Sequence, residues 1–299
     1  MSFGLSITVY SKVVCVSTEG IFDKRMSLSY NSTMKLLDWV PLEKLDWRVL
    51  YLNPNAIHLL EKNPEKIAWT YLSGNPNAIH ILEANPEKIH WGWLSQNPSA
   101  IHILEANPDK INWSHLSSNP NAIHILEKNI DKIYWDWLSG NPNAIHLLEE
   151  NPEKIDWDFL SGNPNAIHLL EANPEKIHRG WLSRNPNAIH LIEANPEKCS
   201  WWLLSLNPRA IHILEKNLDK VDWEELSWNP NAIHILEKNL DKVDWSAISR
   251  NPSIFEEDYQ SLCKERTDVL REELMAKTWH PARFRSWCLE HDDEFHLEV

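Results

Sequence analysis

Asn141-Pro142-Asn143-Ala144-Ile145-His146-Leu147-Leu148-Glu149-Glu150-Asn151-Pro152-Glu153-Lys154-Ile155-Asp156-Trp157-Asp158-Phe159-Leu160-Ser161-Gly162 is one unit of a sequence that repeats itself. Its leading Asn-Pro step recurs every 22 residues from Asn53-Pro54 to Asn251-Pro252, without insertion. Nine complete units fill residues 53–250. A half unit precedes them, because Leu45-Asp46-Trp47 matches Ile67-Ala68-Trp69 one period later. A fixed period of this length marks a repeat architecture, in which no single unit buries its own apolar face.

The chemistry of the unit points to helices. Asn is a good N-cap, and Pro suits the first helical position. Pro also discourages helix in the residue before it, so each Asn-Pro step ends one helix and begins another. On a helical wheel over Pro142 to Glu150, Ala144, Ile145, Leu147 and Leu148 fall within roughly 160° of one another. The second segment, Pro152 to Ser161, buries Ile155, Trp157 and Leu160. Two starts are open for it: Pro152 itself, or Asp156 as N-cap with Pro152 to Ile155 as a separate turn. A leucine-rich repeat is the rival at this period, but its LxxLxL strand signature is absent.

The expected fold is therefore all-α: an α-solenoid of nine 22-residue two-helix repeats, with a preceding half repeat and a C-terminal helical cap. At 8–10 Å per helix layer the array would be a rod or superhelix on the order of 90 Å long. Residues 34–52 are assigned to an N-terminal cap and half repeat, 53–250 to the solenoid, and 251–299 to the cap. Within that cap, Ile254 to Met275 reads as helical, and Ala282 to Glu290 as a final short helix. Trp279, His280, Phe284 and Trp287 offer a docking alternative to a simple cap. Residues 1–33 fit no repeat. They read as an extension, disordered or not native, ahead of a start at Met34, or else Leu5 to Val16 is a strand of a small extra element.

Composition narrows the function. The 299 residues carry 43 acidic and 29 basic side chains, a net charge of −14. Nucleic-acid binding needs clustered Lys and Arg to neutralise phosphate, so it is disfavoured, as is a polybasic membrane surface. No apolar run is long enough to span a membrane, and no secretory signal is visible. Cys15, Cys199, Cys263 and Cys288 are far apart, form no CxxC pair, and read as free thiols.

Several columns hold one residue type along the array. His occupies His58, His80, His102, His124, His146, His168, His190, His212 and His234. Glu follows each three residues later, and a Lys column runs from Lys66 to Lys242. For the His column, hydrogen bonding between units, with Glu one turn away orienting the ring, is the first explanation. A metal column is a poor second, since units 8–10 Å apart cannot converge ligands at about 2.1 Å. A pH response and partner contact complete the alternatives. Nine copies of one His-x-x-Glu pair, with no nucleophile, do not make an active site. No enzymatic activity, cofactor or metal is expected.

Trp47, Trp69, Trp91, Trp113, Trp135, Trp157, Trp201, Trp223 and Trp245 form a further column, read as core. Arg179 interrupts it and should weaken its unit. The variable places are Tyr71, Trp93, His115, Trp137, Phe159, Trp181, Leu203, Glu225 and Ala247, with Gln96, Arg184, Leu206 and Trp228 in the turns. Their aromatic members, Tyr71 to Trp181 and Trp228, are the candidate partner-binding residues; packing between units is the alternative.

Asn141 to Glu149 with Ile155-Asp156-Trp157 resembles the Asn-Pro-Asn-Ala-Ile-type 22-residue tandem repeats of large DNA viruses of amoebae and algae. Glu273 to Pro281, continuing to Trp287, resembles a C-terminal module of proteins in the same viruses. The resemblance spans roughly residues 34–290. It implies a viral source and a repeat scaffold, and supplies no catalytic residues. The function expected is a non-enzymatic scaffold binding a host or viral protein, in the host cytoplasm or virion; the alternative is a structural or cementing virion component.

Overall fold

The computed structural model describes residues 34–261 together with 263, 264, 267, 271, 274 and 275. Residues Met34–Glu257 form one compact unit, and it is the all-α repeat array the sequence implies. The readings of residues 1–33 and of the segment from Ala276 onward lie outside the described residues.

Each repeat holds two short α-helices joined by tight turns. In the quoted unit these are Ile145–Glu150 and Trp157–Ser161, with a 3-10 turn at Pro152–Lys154 between them. The helices are shorter than the Pro-to-Pro spans suggest. Asn141 does not cap an α-helix directly. Its side chain accepts from Asn143 N at 3.0 Å and shapes a turn, after which the helix begins at Ile145. The second helix follows the Asp156 reading: the carboxylate accepts from Asp158 N and Phe159 N, both at 3.0 Å. Pro152–Lys154 is thus a separate turn.

Helices of five or six residues are unstable alone. Here each lays apolar side chains into a continuous core of fully buried Leu and Ala, such as Ala144, Leu148 and Leu160. The Trp-led helices of neighbouring units pack directly on one another. The Ile-led helices are bridged mainly by long side chains, as in the His146–Glu127 contact. Circumference shrinks toward the axis of a curved array, so the closely spaced Trp-led helices form its concave wall.

The array is not an open rod. Asn75 Nδ2 donates to Tyr51 O and Asn53 O, and the same pair of bonds repeats at each step to Asn251, which bonds Ser227 O and Asn229 O. Asn53 then donates to Ser249 O at 3.1 Å and Asn251 O at 2.8 Å. The first unit thus meets the last through the bonds that join every other pair. Three more contacts repeat across this seam: Asp46 N to Ser249 Oγ, Asn55 Nδ2 to Pro252 O, and the Lys44 ammonium over the Trp245 ring. Residues 34–257 close into a ring of ten units.

The assignment of residues 34–52 and 251–257 to separate end caps is corrected accordingly. The tenth unit is built from both ends of the compact unit. Asn251–Ile254 supplies its Asn-Pro turn, while Leu42–Lys44 and Trp47–Leu50 supply its 3-10 turn and Trp-led helix. Where an Ile-led helix would stand, strands β1 (Met34–Leu36) and β2 (Phe255–Glu257) pair antiparallel, with Met34 opposite Glu257 and Leu36 opposite Phe255. Residues 255–257 are therefore strand, although the described positions from 259 to 275 are helical as the sequence suggests.

Two titratable groups sit at the seam. The Arg48 guanidinium holds the Asp46 carboxyl down at about 2, with smaller help from Arg48 N and Ser246 Oγ, against a burial penalty. A depressed carboxylate stabilises the fold above its ordinary value near 4, and that stability is lost only as pH falls toward 2. His58 differs. It has no Glu from a preceding Ile-led helix; its Nδ1 lies 3.1 Å from Asn55 O and its ring stands edge-on to Phe255. Burial depresses its pKa most; Lys62 adds to this, while the Asn55 carbonyl and Glu61 oppose it. The unfolded chain therefore takes up this proton first. The His58 contribution is full above about pH 6.5 and is lost as pH falls through the lower folded value. His58→Gln is expected to lose less urea resistance than the native chain between about pH 7.5 and 5.5. Equal losses in the two proteins would remove His58 from the account.

Candidate functional site

Four columns tie each unit to the next. The buried Asn column is the innermost. In the quoted unit Asn141 Nδ2 donates to Ser117 O and Asn119 O, while Oδ1 accepts from Asn143 N. A buried amide with all three bonds made is neutral in effect, whereas an unmade one is costly. The Ser column is equally buried. Ser95 Oγ donates to Trp91 O within its helix and accepts from Asn112 N of the next unit. Sequence reasoning passed over this column, although Ser stands at its place in nine of ten units, from Ser73 to Ser249. Tyr51 takes the tenth place.

The His column bonds between units, but to a different partner than spacing implied. His80 Nε2 lies 2.8 Å from Glu61, the carboxylate of the preceding unit, rather than its own Glu83. His102, His124, His146, His168, His190, His212 and His234 repeat the contact at 2.8–3.0 Å. These pairs are about half exposed, so each contributes little. Among the described residues, no three His, Cys, Asp or Glu converge as a metal site would require.

The Trp column is only half-buried, which corrects its reading as plain core. One side packs on the Leu core; the other carries a Lys from the next unit. Lys154 Nζ lies 4.5 Å from the Trp135 ring centre, and Lys66, Lys88, Lys110, Lys132, Lys176, Lys220 and Lys242 repeat this. This explains the fixed Lys column. An ammonium over an indole face gains about 0.5–1 kcal/mol at exposed sites. At Arg179 the column fails: Arg179 and Lys198, two cations, line a shallow indentation with Cys199, where the flanking units have Ile177 and Val221. Arg179→Trp would give Lys198 a ring and fill that space. A rise of a few degrees in melting temperature is expected, from about 1 kcal/mol of added contact. An unchanged or lower value would show that Arg179 is no packing defect.

The candidate partner-binding residues divide. Tyr71, Trp93, His115, Trp137, Phe159 and Trp181 stand at the third position of six successive Trp-column helices on the concave wall. They form one continuous chain of ring contacts, some stacked and some tilted, with ring centres 5.5, 6.2, 5.9, 5.9 and 5.7 Å apart, and the buried Tyr51 stacks on Tyr71 at its start. Packing between units and exposure therefore coexist: Tyr71 remains 40% and Trp137 36% exposed. The turn before each ring is small along much of this arc. A Cβ at Gly74 would lie 3.3 Å from Trp93, and one at Gly140 would lie 3.6 Å from Phe159. Past Trp181 the column changes to Leu203, Glu225, Ala247 and Val49, and the turns enlarge to Arg184, Leu206, Trp228 and Arg250. Trp228 stands apart from the arc, with the Arg250 guanidinium 5.4 Å from its ring centre. Burial, with a smaller push from His90, depresses the His115 imidazole, so the arc's imidazole is neutral at neutral pH.

Compared with protein-family models, with curated proteins and with solved structures, the chain finds no match in any of the three. Among the described residues no helix is long and apolar enough to cross a membrane.

Proposed function

We propose that this protein is a non-enzymatic scaffold that binds another protein through the concave aromatic arc. One observation carries this reading. Six rings in a continuous chain of contacts are confined to just over half of the ten-unit ring, and two of them keep more than a third of their surface exposed. Aromatic side chains anchored by their neighbours make good contact residues, because little rotamer freedom is left to lose on binding. The columns that repeat in every unit are consumed in holding units together; the arc is where the units differ. The resemblance to repeats of large DNA viruses supports a host or viral protein as partner, in the host cytoplasm or the virion.

The test is affinity capture from infected-cell lysate with the full chain, beside two variants of matched melting temperature. Tyr71→Ala with Trp137→Ala removes the two most exposed rings of the arc. Trp202→Ala removes a ring that is 53% exposed and lies outside it. A partner lost by the first and kept by the second is the expected result. A partner kept by both would take the arc out of the function. The viral resemblance also favours a second reading, a cementing component of the virion. Recovery of the chain from purified particles at fixed copy number, with capsid proteins captured by all three baits, would replace the first reading with it.

A further inference from the structure

We infer that the partner segment seated on the aromatic arc is cationic: an extended stretch of polypeptide carrying Arg or Lys. This rests on the scaffold reading above and adds the chemistry of the partner.

Five of the six helices of the arc and their caps, residues 68–74, 90–96, 112–118, 134–140 and 156–162, contain no Lys or Arg, and only the sixth, residues 178–184, carries Arg179 and Arg184. They contain Asp136, Asp156 and Asp158. Asp136 and Asp158 are exposed and stand beside Trp137 and Phe159 in the sequence of the wall. The nearest Lys column is withdrawn from the arc. Lys110, Lys132, Lys154 and Lys176 sit over the Trp rings, and those rings precede the arc residues by two positions, about 200° round the helix.

Aromatic rings flanked by carboxylates, with cations only at the two ends of the arc (Arg48 and Lys66 near Tyr71, Arg179 and Arg184 beside Trp181), are a lining that recognises ammonium and guanidinium groups. Arg adds planar stacking on ring edges and faces, and a fork that fits a carboxylate. The six rings step at 5.5–6.2 Å, so their path matches roughly nine residues of extended chain. The wall's acidity also steers a basic segment toward it before contact.

A fluorescein-labelled peptide of alternating Arg and Gly, about ten residues long to match that path, is the probe. Its binding to the full chain is read by fluorescence anisotropy, with a Ser-Gly peptide as the uncharged counterpart. Asp136→Asn with Asp158→Asn is expected to weaken binding roughly tenfold, and Trp137→Leu to weaken it comparably. Glu153→Gln with Glu175→Gln, exposed residues of the Pro-Glu-Lys turns, makes the same change in net charge off the arc. That pair should shift affinity less than about twofold. Equal losses from the two charge pairs would reduce the effect to general attraction by an acidic protein and overturn the inference. Equal binding of the Ser-Gly peptide, or no binding of the Arg peptide, would overturn it as well. If the arc variants still lose a captured protein while the peptide fails to bind, the scaffold reading stands and only the cationic chemistry falls.

Discussion

Ending the chain at Arg250 is expected to open the ring, whereas ending it at Glu257 leaves it closed. The shorter product lacks Asn251, Ile254 and strand β2, so Asn53 and Asn55 lose the Asn251 and Pro252 carbonyls, and Leu37 N loses Ile254 O. Ile254 and Phe255 are buried, and their removal also uncovers apolar surface at the seam. Two exposed edges result, and they are complementary, because every junction in the ring is built on one pattern. A head-to-tail contact of this kind closes or propagates between copies. Solution scattering should show a larger radius at low concentration, and light scattering should show oligomers growing with concentration. An unchanged radius with a monomer at every concentration would mean that the seam does not hold the ring. The chain ending at Glu257 controls for the loss of residues 258–299.

Asn141→Ala is expected to cost about 2–3 kcal/mol of unfolding free energy. Three bonds vanish together, leaving the buried Ser117 O without its Asn141 donor and Asn119 O with Ala122 N alone, and freeing Asn143 N at the surface. Each buried polar group so orphaned costs about 1–3 kcal/mol, and water entering the site recovers part of it. A Glu149→Gln substitution in the exposed His168 pair is the comparison, expected at no more than about 1 kcal/mol. Urea midpoints at unchanged slope read both values. A loss at Asn141 no larger than that at Glu149 would show that the buried ladder is not what stiffens the array. A one-dimensional array lets a single bad junction spread its cost to both neighbours. Closure makes this sharper, since a ring has no end at which a weak unit can fray harmlessly.

Much of this was legible in the residues. The 22-residue period and the Asn-Pro steps dictate short helices stacked side by side, because no unit of this size can bury its own apolar face. The wheel over Ala144, Ile145, Leu147 and Leu148 marks the buried side, and the drift from Tyr71 to Ala247 marks where the units differ. These are local properties, carried by spacing and chemistry within one unit. Closure is another matter. It depends on the small rotation between one unit and the next, which the packing of Trp-led helices against Ile-led helices sets and which accumulates over ten junctions. No single unit encodes that sum, so a nine-unit rod and a ten-unit ring read alike along the chain. The same holds for partners across a junction. His80 meets Glu61 rather than Glu83, and Lys66 reaches Trp47, because those groups converge only when a neighbour is in place. The sequence by itself determined the unit, its helices and its fixed columns; the tertiary structure decided which columns touch, and joined the two halves of the tenth unit, residues 34–52 and 251–257, into one.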